Sequence, residues 1–163
     1  MANKVYIAEE TPIVFTDSGG DYALTLTNLA ASAGRVSARA DLGSGSRSEW
    51  YAWRFTAQFD TAPVVGEQVQ LYLSTSDGTE EDGQVGTGDA ALDSSNTLYN
   101  LHYIGALTVT STDADHDMTV SGVCRIPTRY VSVVVYNDTA DALRNDAGPY
   151  CEFTLTPIPP EVQ

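Results

Sequence analysis

Glu49-Trp-Tyr-Ala-Trp-Arg-Phe-Thr-Ala-Gln-Phe59 places apolar side chains at every second position, Tyr51, Trp53, Phe55, Ala57 and Phe59, with Arg54, Thr56 and Gln58 among the residues between them. A period of two is the mark of a strand with one dry face and one wet face. Beyond Asp60-Thr-Ala-Pro-Val-Val-Gly66 the alternation resumes, with Val69, Leu71 and Leu73 on one side and Gln68, Gln70, Tyr72 and Ser74 on the other. The two runs read as an antiparallel hairpin over residues 49–76, its connection marked by Pro63 and Gly66. Both tryptophans and half of the four phenylalanines fall in this stretch, so the core is expected to be built on it.

Working outward, the same period recurs. Upstream, Tyr22, Leu24 and Leu26 form one apolar phase, and Val36, Ala38, Ala40 and Leu42 another. Downstream, Leu101, Tyr103, Leu107 and Val109 share a phase, followed by Met118, Val120, Cys124 and Ile126. Val131, Val133 and Val135 make a very β-prone strand, and Val134 and Tyr136 on its reverse side suggest cover on both faces. Residues 150–156 supply the last strand, and a short helix is expected at 140–144. Residues 77–100 carry neither period and read as one long loop, of a length that calls for a job or an ordering partner.

Eight or nine strands punctuated by turns, with almost no helical periodicity, predict an all-β fold: a single-domain antiparallel β-sandwich, jelly-roll-like. Its body spans 13–156, between an extended N-terminal arm, 1–12, and an extended proline-rich tail, 157–163. Such arms suit strand addition or groove binding on neighbours, with Tyr6, Pro157, Pro159 and Pro160 as contact candidates.

The 163 residues are of single-domain size, and the net charge is −14. That field repels phosphate backbones and anionic lipid, so neither nucleic acid nor membrane is an expected partner. No 18-residue apolar stretch occurs, and the first residues lack the apolar run of a signal peptide, so synthesis in the cytoplasm as a soluble chain is expected. Cys124 and Cys151 both fall in apolar strand phases and read as small buried hydrophobes.

Candidate chemistry is thin. Asp17-Ser-Gly-Gly20 resembles the string around the nucleophile of chymotrypsin-like proteases, but both histidines, His102 and His116, lie far downstream, and a tight turn explains the glycines. No zinc-type spacing of Cys or His is present. Asp77, Glu80, Glu81 and Asp82 are the candidate oxygen ligands for a Ca²⁺ ion in the long loop; the preferred reading is a solvated acidic loop without a cofactor. Trp50 and Tyr72 are aromatic residues in outward phase, suited to a protein interface or to stacking on a sugar ring.

Arg35-Val-Ser-Ala-Arg39, the Trp50–Arg54 run, Val65-Gly-Glu-Gln-Val-Gln-Leu-Tyr-Leu-Ser-Thr-Ser-Asp-Gly-Thr79, Arg129-Tyr-Val-Ser-Val-Val-Val-Tyr-Asn137 and Leu155-Thr-Pro-Ile-Pro-Pro-Glu161 together resemble small β-rich virion proteins of tailed bacteriophages. The resemblance is one of general pattern over most of the chain and brings no functional residues with it. It implies a non-enzymatic structural component, a capsid decoration or cement protein. Such a protein would sit on the capsid exterior as a homo-oligomer, with a trimer favoured, and bind the major capsid protein or other virion proteins. The alternative from a different class is a carbohydrate-binding β-sandwich module of a tail or fibre.

Overall fold

The computed structural model describes residues 5–7, 10–146, 148 and 150–162, with backbone only at 5–7, 161 and 162. In chain order the strands are β1 (Val5–Ile7), β2 (Ile13–Thr16), β3 (Tyr22–Ala23), β4 (Ala33–Val36), β5 (Ala40–Asp41), β6 (Trp50–Ala57) and β7 (Gln68–Ser76). They continue with β8 (Ala90–Ala91), β9 (His102–Thr108), β10 (Met118–Arg125), β11 (Tyr130–Asp138), β12 (Glu152–Pro157) and β13 (Pro160–Val162). Two short 3₁₀ helices, Asp82–Gln84 and Ser95–Asn100, lie in the segment expected to be loop.

Two sheets pack face to face. Sheet 1 runs β10-β6-β12-β2-β3, and sheet 2 runs β8-β4-β11-β7-β9, with β5 also paired to β11. Treating β4 and β5 as one interrupted strand leaves eight main strands: the first, third, sixth and eighth form sheet 1 and the others sheet 2. Two Greek keys in this order are a jelly roll, the expected all-β sandwich.

The hairpin expected over residues 49–76 does not form. β6 pairs with β10 and β12 in sheet 1, whereas β7 pairs with β11 and β9 in sheet 2. Residues 60–67 instead carry the chain from one sheet to the other. Both strands point their apolar phase into the same interior, so Tyr51, Trp53, Phe55 and Ala57 face Val69, Leu71 and Leu73 across the core rather than lying beside them. Phe15, Phe153 and the inward valines of β11 complete that interior. The Trp53 indole lies against the edge strands β9 and β10 at two glycines: a Cβ at Gly122 would come within 2.7 Å of the ring, and one at Gly105 within 2.9 Å.

Two further expectations are corrected. Residues 140–144 form no helix, because Leu143 is fully buried and bridges to Phe59. Val36, read as sharing a phase with Ala40, lies opposite the outward-facing Val134, while Ala40 lies opposite the inward-facing Val131. The break at residues 37–39 resets the phase, since one extra residue turns every following side chain over. The two arms meet each other: β1 and β13 pair antiparallel, Tyr6 opposite Glu161 and Ile7 opposite Pro160.

Residues 77–100 fold back over half of the outer face of sheet 2. Ser74 Oγ donates to the Asp82 carbonyl, and Thr75 donates from N and Oγ1 to the Asp82 carboxylate. Leu92 N donates to the Gly34 carbonyl, bringing the Leu92 side chain against Gly34 and Tyr136. Under this cover Val36 and Val134 are fully buried on the side of the sheet away from the main core, as the reverse face of β11 suggested.

Candidate functional site: a tyrosine face on sheet 2

The uncovered half of that outer face is built from β7, β9 and β11. Outward phase brings up Gln70 and Tyr72 from β7, and Tyr136 and Asp138 from β11, with Tyr136 directly opposite Gln70. Tyr103 was expected in the inward phase of its strand with Leu107. The register between β7 and β9 shifts between Leu71 and Tyr72: Leu71 pairs with Gly105, but Tyr72 pairs with Tyr103, leaving Ile104 extra. That bulge turns Tyr103 to the outside while Leu107 stays in the core.

Tyr72 and Tyr103 pack edge to face with ring centroids 5.3 Å apart. Tyr103 is 54% exposed, and Tyr99, on the second 3₁₀ helix, is 87% exposed. The Tyr72 hydroxyl donates to Gln70 Oε1 at 2.5 Å, and Gln70 Nε2 donates to Asp138 Oδ2 at 2.9 Å. Burial pushes the Tyr72 phenol up, and the surrounding Tyr103, Asp138, Tyr136 and Tyr99 push it further, so it remains a neutral donor at neutral pH. Three tyrosines held on strands and Tyr99 on the 3₁₀ helix, with a chained amide and carboxylate, make an amphipathic surface. It can stack on apolar or ring-shaped groups and hydrogen-bond at its rim.

Of the residues singled out from sequence, Tyr72 belongs to this surface. Trp50 is half-exposed but stands on the outer face of sheet 1, where Arg125 lies opposite it, so the two aromatics occupy opposite sides of the sandwich. Pro157 is buried at the end of β12, with its carbonyl accepting from Glu10 N; Pro159 is half-buried and Pro160 exposed. The Tyr6 side chain lies outside the described residues. Tyr99, Tyr103 and Tyr136 were not singled out. Outward phase in β11 marks Tyr136, and Gly105 inside β9 is a local signal of the bulge that turns Tyr103 out, but nothing local shows that the 3₁₀ helix just ahead of β9 brings Tyr99 beside them.

The candidate metal ligands have separate engagements. Asp77 Oδ1 accepts from the N–H groups of Thr79 and Glu80, which hold its carboxyl below the usual range. Glu81 pairs with Arg39 at 2.7 Å, and Asp82 caps Thr75. Among the described residues no three His, Cys, Asp or Glu side chains group to hold a metal ion.

Asp17 Oδ1 and Oδ2 accept from Leu26 N and Thr27 N, and Gly19 takes the left-handed conformation of a tight turn with φ of 81°. Ser18 is exposed in that turn beside β2, while His102 opens β9 at the far side of the sandwich. Cys124 and Cys151 are free and buried, and burial pushes their thiols up to about 12 and about 11. They lie beside opposite ends of β6, so no disulfide links them.

The outer face of sheet 1 is different in kind. A shallow groove of about 550 Å³ runs over Arg54, Thr56, Ser121, Thr154 and Thr156, with Asp117 and Glu152 at its margins. No protein-family model matches the chain, and no curated protein matches it either.

Proposed function

We propose that this chain is a non-enzymatic structural component of a bacteriophage virion. In this role it is a decoration protein that binds the outer surface of the capsid as a homo-oligomer and reinforces the lattice. The observation that carries the reading is the tyrosine face: exposed aromatic side chains presented by the strands and a 3₁₀ helix of a jelly roll are the anchors a protein interface needs. The acidic surface and the likeness to small phage virion proteins support the same role. Many copies, each with a modest interface, hold a shell by avidity.

The test is copy number in gradient-purified virions, joined to a rebinding assay on stripped particles. The expected result is lattice-matched stoichiometry and at least a tenfold loss of attachment for Tyr99→Ala combined with Tyr103→Ala, with the melting temperature held. Absence from particles, or a mere handful of copies, removes the decoration role.

One observation favours a second reading. Gln70 and Asp138 beside the edge-to-face tyrosine pair also match the chemistry of a neutral sugar, so the alternative is a glycan-binding module of a tail or fibre. Glycan-array binding lost on Tyr72→Ala supports that alternative, and a flat array disposes of it.

A further inference from the structure

Strand β10 is the long regular edge of sheet 1. It pairs with β6 without interruption from Met118 to Arg125, and among the described residues no strand pairs with its other side. The other edges are blunted. Sheet 1 ends on the two-residue β3, β4 is covered by β8, and β9 carries the bulge opposite Tyr72. β10 has no proline, no lysine, no bulge and no charge before Arg125, and Val123 on it is 60% exposed. An edge of this kind is a template for another strand.

The hydrogen-bond parity fixes which groups are open. Ile126 N donates to the Glu49 carbonyl just beyond the strand, so the even residues of β10 bond to β6. Thr119, Ser121 and Val123 therefore turn their N–H and C=O groups outward, and Asp117 and Arg125 continue that phase at the two ends.

We infer that β10 pairs antiparallel with β10 of a second copy of this chain, about a two-fold axis at Ser121. Only odd residues can pair with odd residues across such an axis. Centred on Ser121, the ladder sets Ser121 against itself, Thr119 against Val123, and Asp117 against Arg125 at both ends. Neighbouring allowed registers lose both ion pairs. Both charged groups have capacity to spare: Arg125 Nε and Nη2 bond Glu49, and only Oδ1 of Asp117 bonds Gln58. The pairing buries Val123, joins two five-stranded sheets into one and leaves both tyrosine faces open. It is a two-fold contact, unlike the trimer favoured from sequence, and it rests on the edge alone, independent of the virion reading.

The experiment is sedimentation of the full chain over a concentration series, with oxidative cross-linking of a variant that carries one added cysteine beside the buried Cys124 and Cys151. Wild type is expected at twice 17.4 kDa. Ser121→Pro, at a position whose N–H does not bond β6, is expected to be monomeric and still folded, with a melting temperature that no longer depends on protein concentration. Asp117→Arg alone and Arg125→Asp alone each raise the dissociation constant at least tenfold, and the two together restore it. Ser121→Cys oxidises to a covalent dimer, because directly opposed residues lie within disulfide reach. A monomer at millimolar concentration, a trimer, or a dimer untouched by Ser121→Pro and by the charge reversals overturns the inference.

Discussion

The two outer faces of the sandwich have met solvent in opposite ways. On sheet 2, outward positions include Val36 and Val134, and residues 77–100 close over them. On sheet 1, the corresponding positions are Thr56, Thr119, Ser121 and Thr154 around Arg54, and the face is bare. Apolar outward residues make a covering segment stable, since each buried valine contributes about 1.5–3 kcal/mol toward ordering it. Hydroxyl groups hydrated in place give a covering chain nothing to gain. Three acidic residues of the long segment fasten it: Asp89 is held by Thr25 and Arg35, Glu81 by Arg39, and Asp82 by Thr75. Arg39 also lies over the Tyr130 ring, which Arg129 approaches as well.

The sharpest way to break this comparison is to place the same charge on both faces. Val134→Asp buries an unpaired carboxylate under the cover and is expected to lower unfolding free energy by about 3 kcal/mol or more. Thr154→Asp, outward on sheet 1 beside Arg54, is expected to stay within about 0.5 kcal/mol of wild type. Equal urea midpoints for the two variants would show that the cover is ornamental.

Next in size is the main fastener. Asp89→Ala removes a carboxylate that accepts from Thr25 N, Thr25 Oγ1 and Arg35 Nε, and is expected to cost about 2 kcal/mol. Burial pushes the Asp89 carboxyl up, but the bonds from Arg35 and Thr25 outweigh it and hold the carboxyl below its ordinary value. A folded-state pKa below the unfolded one means the contribution is complete above the unfolded pKa and is lost as pH falls through the folded value. The gap in urea midpoint between wild type and Asp89→Ala is therefore expected to be full at pH 7 and to shrink below about pH 4. A gap that widens in acid would refute the assignment.

Arg39→Ala should cost less, about 1 kcal/mol, because its pair with Glu81 is partly exposed and only the stacking on Tyr130 adds to it. Smallest is Arg54→Ala on the bare face. Arg54 makes no hydrogen bond or ion pair among the described residues, so thermal melting is expected to be unchanged.

The hidden hub Asn137 shows how far local sequence can mislead about exposure. Asn137-Asp-Thr139 is formally a glycosylation sequon. Its amide is nevertheless fully buried, donating to the carbonyls of Leu29, Ala30 and Asp141 and accepting from Thr139.

What the chain decided alone is which side chains face inward along most strands. Alternation is a local property, set by the pleat of a single strand, and Tyr51, Phe55, Leu71, Val133 and Phe153 are buried where it places them. It also settled that the sheets have little helix about them and that β11 is sheltered on both sides. Partner choice was decided in three dimensions: a strand beside β6 and a strand across the core from β6 present the same inward phase, so the pattern of residues 49–76 is common to a hairpin and to a crossing between sheets. The tyrosine face was decided there too, because its members come from three strands and a 3₁₀ helix, and one of them reaches it only through a bulge of which Gly105 inside β9 is a local sign but whose outcome depends on the pairing with β7.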